Sequence, residues 1–302
     1  MDKGGRFAFG IAATLLLFIS SSAYCQVSHA DDSIFAAKIK QAKVAGIDKL
    51  PIGDRVAAMG KLFLGTPYVS HTLDSDATKE QLVVNLRGLD CVTFYENMLA
   101  LARIIKEYPN PTIEMLKVEL EYLRYRDGQI DGFHSRLNYT IDYFYNNDLK
   151  KVLRDVTYAD GGKFVKYDDR EINFMTAHRS LYKQLVASDA EYNAMLHNEK
   201  AIHARKDFYY IPKSDVVAVE SKIETGDILG ITTNLAGLDC SHTGIAIRMS
   251  DGRIHFMHAS SLMGKVIISE ESLAEYLTHS NHQTGVIVSR PIEVNRIVFG
   301  ID

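Results

Sequence analysis

The 302-residue chain lacks the marks that divide or specialise a protein. No Pro/Ser-rich linker, internal repeat or low-complexity tract interrupts residues 31–302. With 46% apolar residues the chain can bury a full core, so residues 26–302 read as one domain. Charge of one sign is also missing. The formal net charge is −4, and removing Asp2, Lys3 and Arg6 with a leader takes away one positive charge, leaving −5. A basic nucleic-acid footprint is therefore absent, and nothing points to an obligate protein partner. Cysteine is scarce. If a leader is cut after Cys25, only Cys91 and Cys240 remain. One bridge between them would be a poor staple for a domain of this size, so two free thiols are expected, with a disulfide as the alternative in an oxidising compartment.

Only one uncharged apolar run stands out. Lys3 and Arg6 precede Phe7 to Tyr24, which is the pattern of a secretory signal over residues 1–25. The run is marginally short for a membrane span. Cleavage after Ala23 or Cys25 fits, and the bulky Tyr24 disfavours lipid anchoring through Cys25.

What is present is a thiol in a special place. Leu64-Gly65-Thr66-Pro67-Tyr68 is followed by Gly88-Leu89-Asp90-Cys91 and then by a run in which Phe94, Met98, Leu101 and Ile105 form one apolar helical stripe. Cys91 then lies in the first turn of a helix with Asp90 as N-cap candidate. Unpaired N–H groups and the macrodipole there are expected to favour thiolate over thiol, and to hold an oxyanion. A base lies downstream. His242 opens the alternating stretch to Ile247, a Ser250-Asp251-Gly252 turn follows, and Arg253 to Ser260 returns as a second strand. Antiparallel pairing brings His242 near His258, so that one ring can orient the other. Period two puts His258 with Phe256 and His255 with Met257, so only one of these two histidines can face the site. The same rule gives Cys240 the strand face of His242, as a packing residue.

Helices are expected over 31–44, 53–64 and 92–106, over much of 142–156 and 171–200, and over 272–278. Residues 117–125 read as helix or strand, 127–139 as loop, and strands are expected at 226–231, 242–247, 253–257, 265–268 and 285–289. A helix-borne nucleophile followed by a strand-borne base is an α+β arrangement.

The order "LGTPY", "LDC" opening a helix, "HTGI" opening a strand and "HA" ending the next resembles the NlpC-like branch of the papain superfamily of cell-wall cysteine peptidases. The stretches "RGLDCVTFYENMLALAR", "RYRDGQIDGFHSRLNY" and "GDILGITTNLAGLDCSHTGIAI" resemble a bacterial subfamily of N-acetylmuramoyl-L-alanine amidases acting on 1,6-anhydro-muropeptides. The resemblance implies a papain-like fold, with a helix-borne cysteine on an antiparallel sheet or small barrel and extra N-terminal and inserted helices. It makes Cys91 the nucleophile, His242 the base and His258 the third polar group, with Tyr68 facing the site and available to the oxyanion. Ser135 and Arg136 in the subfamily-like loop become substrate-binding candidates, Arg124 and Arg126 beside them are either further contacts or solvated surface charge, and a substrate role for Asp90 is additional to its capping. The subfamily pattern has His and Trp where this chain has Asn138 and Tyr143. Peptidoglycan fragments would be the substrate, the periplasm the location, and neither cofactor nor metal is called for.

Three other readings stay open. A γ-D-glutamyl-diamino-acid endopeptidase is the usual activity of the wider superfamily. A zinc amidase on Cys240, His242, His255 and His258 would require a bulge to turn all four to one point. A glycan-binding module without catalysis would not need both Cys91 and His242.

Overall fold

The computed structural model describes residues 27–74, 78–158, 165–166, 171–205 and 208–294. The signal-segment reading of residues 1–25 lies outside these. The N-terminal half is helical: α1 (His29–Val44), α2 (Ile52–Leu62), α3 (Cys91–Glu107), α4 (Ile113–Arg124) and α5 (Thr140–Leu149). Short β1 (Leu153–Asp155) and β2 (Val165–Lys166) follow, then α6 (Phe174–Ala177), α7 (Lys183–Ala187), α8 (Asp189–Ala204), β3 (Tyr209–Pro212) and α9 (Val216–Val219). The C-terminal part is β4 (Ile228–Thr233), β5 (Cys240–Arg248), β6 (Ile254–Ser260), β7 (Lys265–Ser272), α10 (Leu273–Tyr276) and β8 (Gln283–Pro291). Among the described residues the strands join one antiparallel sheet of order β2-β3-β8-β4-β5-β6-β7, with β1 also on β8. Helices and antiparallel sheet make the fold α+β.

The sheet carries a core on each face. Ile228, Cys240, Ile245, Ile247, Met257 and Ala259 join the helical side with Phe94, Met98 and Leu101 of α3. Leu229, Ile231, Ala246, Ile254, Phe256 and Val288 pack on the other side with Val216, Leu273 and Leu277. Burial on both faces explains why β6 is inaccessible along its whole length. Gly244 is required by this packing. A Cβ there would lie 2.5 Å from the Met257 carbonyl oxygen and 2.6 Å from the Phe256 ring.

Several expectations shift by local chemistry. The helix expected to reach 156 ends at Leu149, where Lys151 takes a positive φ of 58° and the chain turns into β1. Helix 171–200 is broken into α6, a 3₁₀ turn, α7 and α8, the last begun by Ser188 accepting from the Glu191 N–H. Residues 117–125 are helix to Arg124, started by the Thr112 hydroxyl.

Candidate active site

Cys91 is the first residue of α3. Asp90 caps the helix in a reciprocal box: the Thr93 N–H donates to Asp90 Oδ1 at 2.8 Å, and the Asp90 N–H to Thr93 Oγ1 at 2.9 Å. Asp90 Oδ2 also accepts from Thr72 Oγ1 at 3.1 Å, so both carboxylate oxygens hold protein groups. Two extended segments set the thiol's surroundings. The Leu89 N–H donates to the Pro67 carbonyl at 3.0 Å, the Val69 N–H to the Leu89 carbonyl at 3.1 Å, and the Tyr68 N–H to Gly264 at 2.8 Å. This stitching places half-buried Tyr68 beside Cys91: burial, then Cys91 and Asp90, raise its pKa.

β5 and β6 pair Ile245 with Met257, a register that extends toward Gly244 and His258. His242 Nε2 meets His258 Nδ1 at 2.6 Å, with the rings at 87°. His258 is 3% exposed, stacks on Phe256 at 4.6 Å and 18°, and meets Tyr276 edge-on at 5.3 Å. His255 points elsewhere, to the Ser269 carbonyl at 2.9 Å and Asp251 at 3.0 Å. Alternation therefore assigns the two histidines as period two requires.

Alternation fails one step earlier. Ile231 pairs with His242 but Thr232 with Cys240, which makes Ser241 a bulge. Cys240 consequently joins the helical-side core, while His242 lies against Phe256 of the other, at 5.5 Å between rings. The two do not share a face, contrary to the i, i+2 expectation. Cys240 packs toward Gly230 and Thr140, and both cysteines are free thiols. The zinc arrangement loses its geometry for the same reasons, and among the described residues no three His, Cys, Asp or Glu side chains converge as a metal site.

The electrostatics differ from those expected of a helix-terminal cysteine. Burial, then Asp90, pushes the Cys91 thiol up to about 11, opposed only in part by Thr243 and the helix's own first N–H. Burial pulls His242 down to about 4, and burial with the His242 charge pulls His258 down to about 3. Near neutral pH the resting groups are thus a thiol and two neutral imidazoles, and not the thiolate expected from the dipole alone.

The substrate-binding candidates of the 124–139 stretch all have protein partners. Arg136 forms a fork on Glu80 (2.8 and 2.7 Å), Arg124 is paired with Glu96 at 2.8 Å, and Arg126 with Asp142 at 2.5 Å. Ser135 donates to the Gly132 carbonyl at 2.7 Å and accepts from the Asp131 N–H at 3.0 Å. Arg124 ties this stretch to α3, Arg126 to α5 and Arg136 to Glu80, while the Ser135 bonds are internal to the loop. Asn138 is exposed, and Tyr143 is wholly buried against Tyr95 of α3 at 5.2 Å. Tyr276 and Thr243 were not singled out by the sequence. The only pointer to Tyr276 is the Ser272-x-x-Glu275 capping pattern that starts its short helix.

The AmiA-like family, described as N-acetylmuramoyl-L-alanine amidase-like, matches residues 58–286, a span that contains Cys91, His242, His258 and the other site residues. The chain belongs to this family. An N-acetylmuramoyl-L-alanine amidase structure from Bacteroides uniformis is 35% identical over 80% of this chain and 98% of its own, with TM-score 0.71. A Bacteroides fragilis structure with a provisional xylanase label is 36% identical over 76% of this chain and 98% of its own, at TM-score 0.68. A Legionella pneumophila protein, 20% identical over 87% of this chain and 95% of its own at TM-score 0.64, shares the fold. No curated protein matches the chain.

Proposed function

We propose that this AmiA-like protein hydrolyses the lactyl amide between N-acetylmuramic acid and L-alanine in peptidoglycan fragments, through Cys91 and His242, in a papain-like layout. The observation that carries the reading is the helix-terminal thiol beside Thr243, next in the chain to an imidazole that a second imidazole holds at 2.6 Å. With Nε2 of His242 engaged by His258, Nδ1 is the nitrogen left to serve the thiol. The Cys91 proton passes to His242 as sulfur attacks the carbonyl carbon. The oxyanion is met by the Cys91 N–H and the Tyr68 hydroxyl. The His242 imidazolium then protonates the alanine amine, which leaves with the stem peptide. Water, deprotonated by His242, cleaves the thioester and releases the muramoyl carboxylate and the free thiol.

A carboxylate-pair glycosidase finds less support. That chemistry requires two acids across the scissile bond, whereas the carboxylate beside Cys91 is Asp90, whose oxygens cap α3 and hold Thr72. The apolar leader supports export to the periplasm, and the likeness of residues 124–139 to the anhydro-muropeptide subfamily supports a preference for the 1,6-anhydro sugar. Mass spectrometry of products from a defined disaccharide peptide is the test. Intact stem peptide plus free disaccharide is expected; a clipped stem with alanine still on the sugar would replace this reading with the endopeptidase.

A further inference from the structure

His258 has one polar outlet. Its Nδ1 meets His242, while its Nε2 is buried and has no hydrogen-bond partner among the described residues. Two aromatic rings stand against its imidazole. Phe256 stacks on it at 4.6 Å, and Tyr276 stands across both, 5.3 Å from His258 and 5.0 Å from Phe256. Phe256 is 0% exposed and is fixed in the sheet, whereas Tyr276 is half-buried and therefore forms the outer wall. Its helix is well held. Ser272 and Glu275 cap α10 reciprocally, and Leu273 and Leu277 insert into the core on either side.

The charged and titratable groups around this wall come from four directions. They are His242 on β5, Cys91 with Asp90 at the start of α3, Tyr68 on the preceding segment, and Glu271 and His279 flanking Tyr276. Asp90 acts on Cys91 and Tyr68, and Glu271 on Tyr276. Neither lowers the cost of a charge on His258, where the influence beyond burial is the repulsive one of His242. The pair thus differs from a base oriented by a carboxylate.

Proton positions make this environment consequential. For Nδ1 of His242 to accept a proton, neutral His242 must carry its own on Nε2 and donate it to His258 Nδ1. His258 can accept only while it is neutral, with its proton on Nε2, facing away from His242. Protonated at both nitrogens, it would repel the His242 N–H and release the base from its orientation.

We propose that Tyr276 is a positioning residue: its ring seals His258 from water, which keeps His258 neutral and able to accept the Nε2 proton of His242. The catalytic consequence rests on the Cys91–His242 reading above; the shielding itself does not. Desolvation in this enclosure is also the first cause of the low pKa values of both imidazoles, about 4 for His242 and about 3 for His258. Removing the wall hydrates them and raises both toward the ordinary imidazole value of about 6.5.

The test is an NMR titration of ¹⁵N-histidine-labelled protein, with the pH profile of muropeptide hydrolysis recorded alongside. In the unaltered protein both site imidazoles should stay neutral from pH 8 to about 5, with the His258 proton on Nε2. Tyr276→Phe keeps the ring and should titrate in the same way. Tyr276→Ala should raise the midpoint of the pair by a pH unit or more and move the acid limb of kcat/KM upward with it, while His255 titrates as before. Imidazoles of the unaltered protein that already titrate near 6.5, an unmoved midpoint in Tyr276→Ala, or a Tyr276→Phe protein that behaves like Tyr276→Ala would each overturn the proposal. The spectra separate the two readings. A midpoint that moves as expected in a protein whose Cys91→Ala variant still turns over leaves the shield standing and removes the thiol mechanism.

Discussion

His242 Nε2 lies 2.6 Å from Nδ1 of His258, with the two rings nearly perpendicular. The contact engages one nitrogen of His242 and, in the proposed mechanism, makes the second histidine, in place of a carboxylate, the group that orients the first. Substitution should follow this order. His242→Ala is expected to lose nearly all turnover, and His258→Ala a smaller factor, about 10²–10³ in kcat, because it removes orientation and not the proton acceptor. Steady-state rates that rank His258→Ala as the more damaging would reverse the roles.

Cys91→Ala should fold and be inactive, since the nucleophile of a cooperating group accounts for most of the rate above background. Cys240→Ala should remain active and lose about 1 kcal/mol, because its thiol fills space toward Gly230 and Thr140 in the core. Activity and thermal melts on both variants check this; an inactive, folded Cys240→Ala protein would contradict the bulge at Ser241 as the reason the two cysteines differ.

A thiol raised to about 11 beside imidazoles at about 4 and 3 predicts a distinctive alkylation profile. Below pH 11 the resting sulfur is protonated. The rate of iodoacetamide modification of Cys91 should therefore keep rising between pH 6 and 9 in the absence of substrate. A plateau reached by pH 7 would indicate a thiolate–imidazolium pair. Excess chelator should leave turnover unchanged.

His255 serves stability. Burial lowers its pKa, but Asp251 and the Ser269 carbonyl more than offset this, and the net shift is upward. A basic group raised on folding stabilises fully below its unfolded pKa of about 6.5 and loses that contribution as pH rises through the folded value. The difference in Tm between the unaltered protein and His255→Ala should be larger at pH 5.5 than at pH 9, with kcat nearly unchanged at either. An equal difference at both pH values would show that the ion pair with Asp251 contributes nothing.

Arg136 and Glu80 form a buried, two-pronged pair. Removing one partner, as in Arg136→Ala, should cost about 3–5 kcal/mol of stability, and Arg136→Met with Glu80→Met should be better tolerated than Arg136→Ala alone. KM for the muropeptide should change little in the folded double variant. A KM raised tenfold or more without a loss of stability would return Arg136 to the substrate.

Much of this arrangement was legible in periodicity. The stripe Phe94, Met98, Leu101 and Ile105 located α3, and the short turn at Asp251-Gly252 located the hairpin that pairs His242 with His258. What escaped depends on tertiary context. The bulge at Ser241 arises from how β5 meets β4, and it reverses the face of Cys240 with no local composition to announce it. The thiol pKa follows from burial and Asp90, which outweigh a helix terminus worth only about 1 kcal/mol. The ion pairs of Arg124, Arg126 and Arg136 were not legible because their partners Glu96, Asp142 and Glu80 lie 16 to 56 positions away. Short β1 and β3 carry too few residues to display alternation and exist because β8 offers them an edge.

The most direct test of the account is a rapid-quench intact-mass measurement of the protein mixed with a defined 1,6-anhydro disaccharide peptide, followed by peptide mapping. An acyl adduct with the mass of the muramoyl disaccharide, carried on the peptide containing Cys91 and absent from Cys91→Ala, is the predicted result. An adduct derived from the stem peptide, or efficient hydrolysis by Cys91→Ala with no adduct at all, would contradict it.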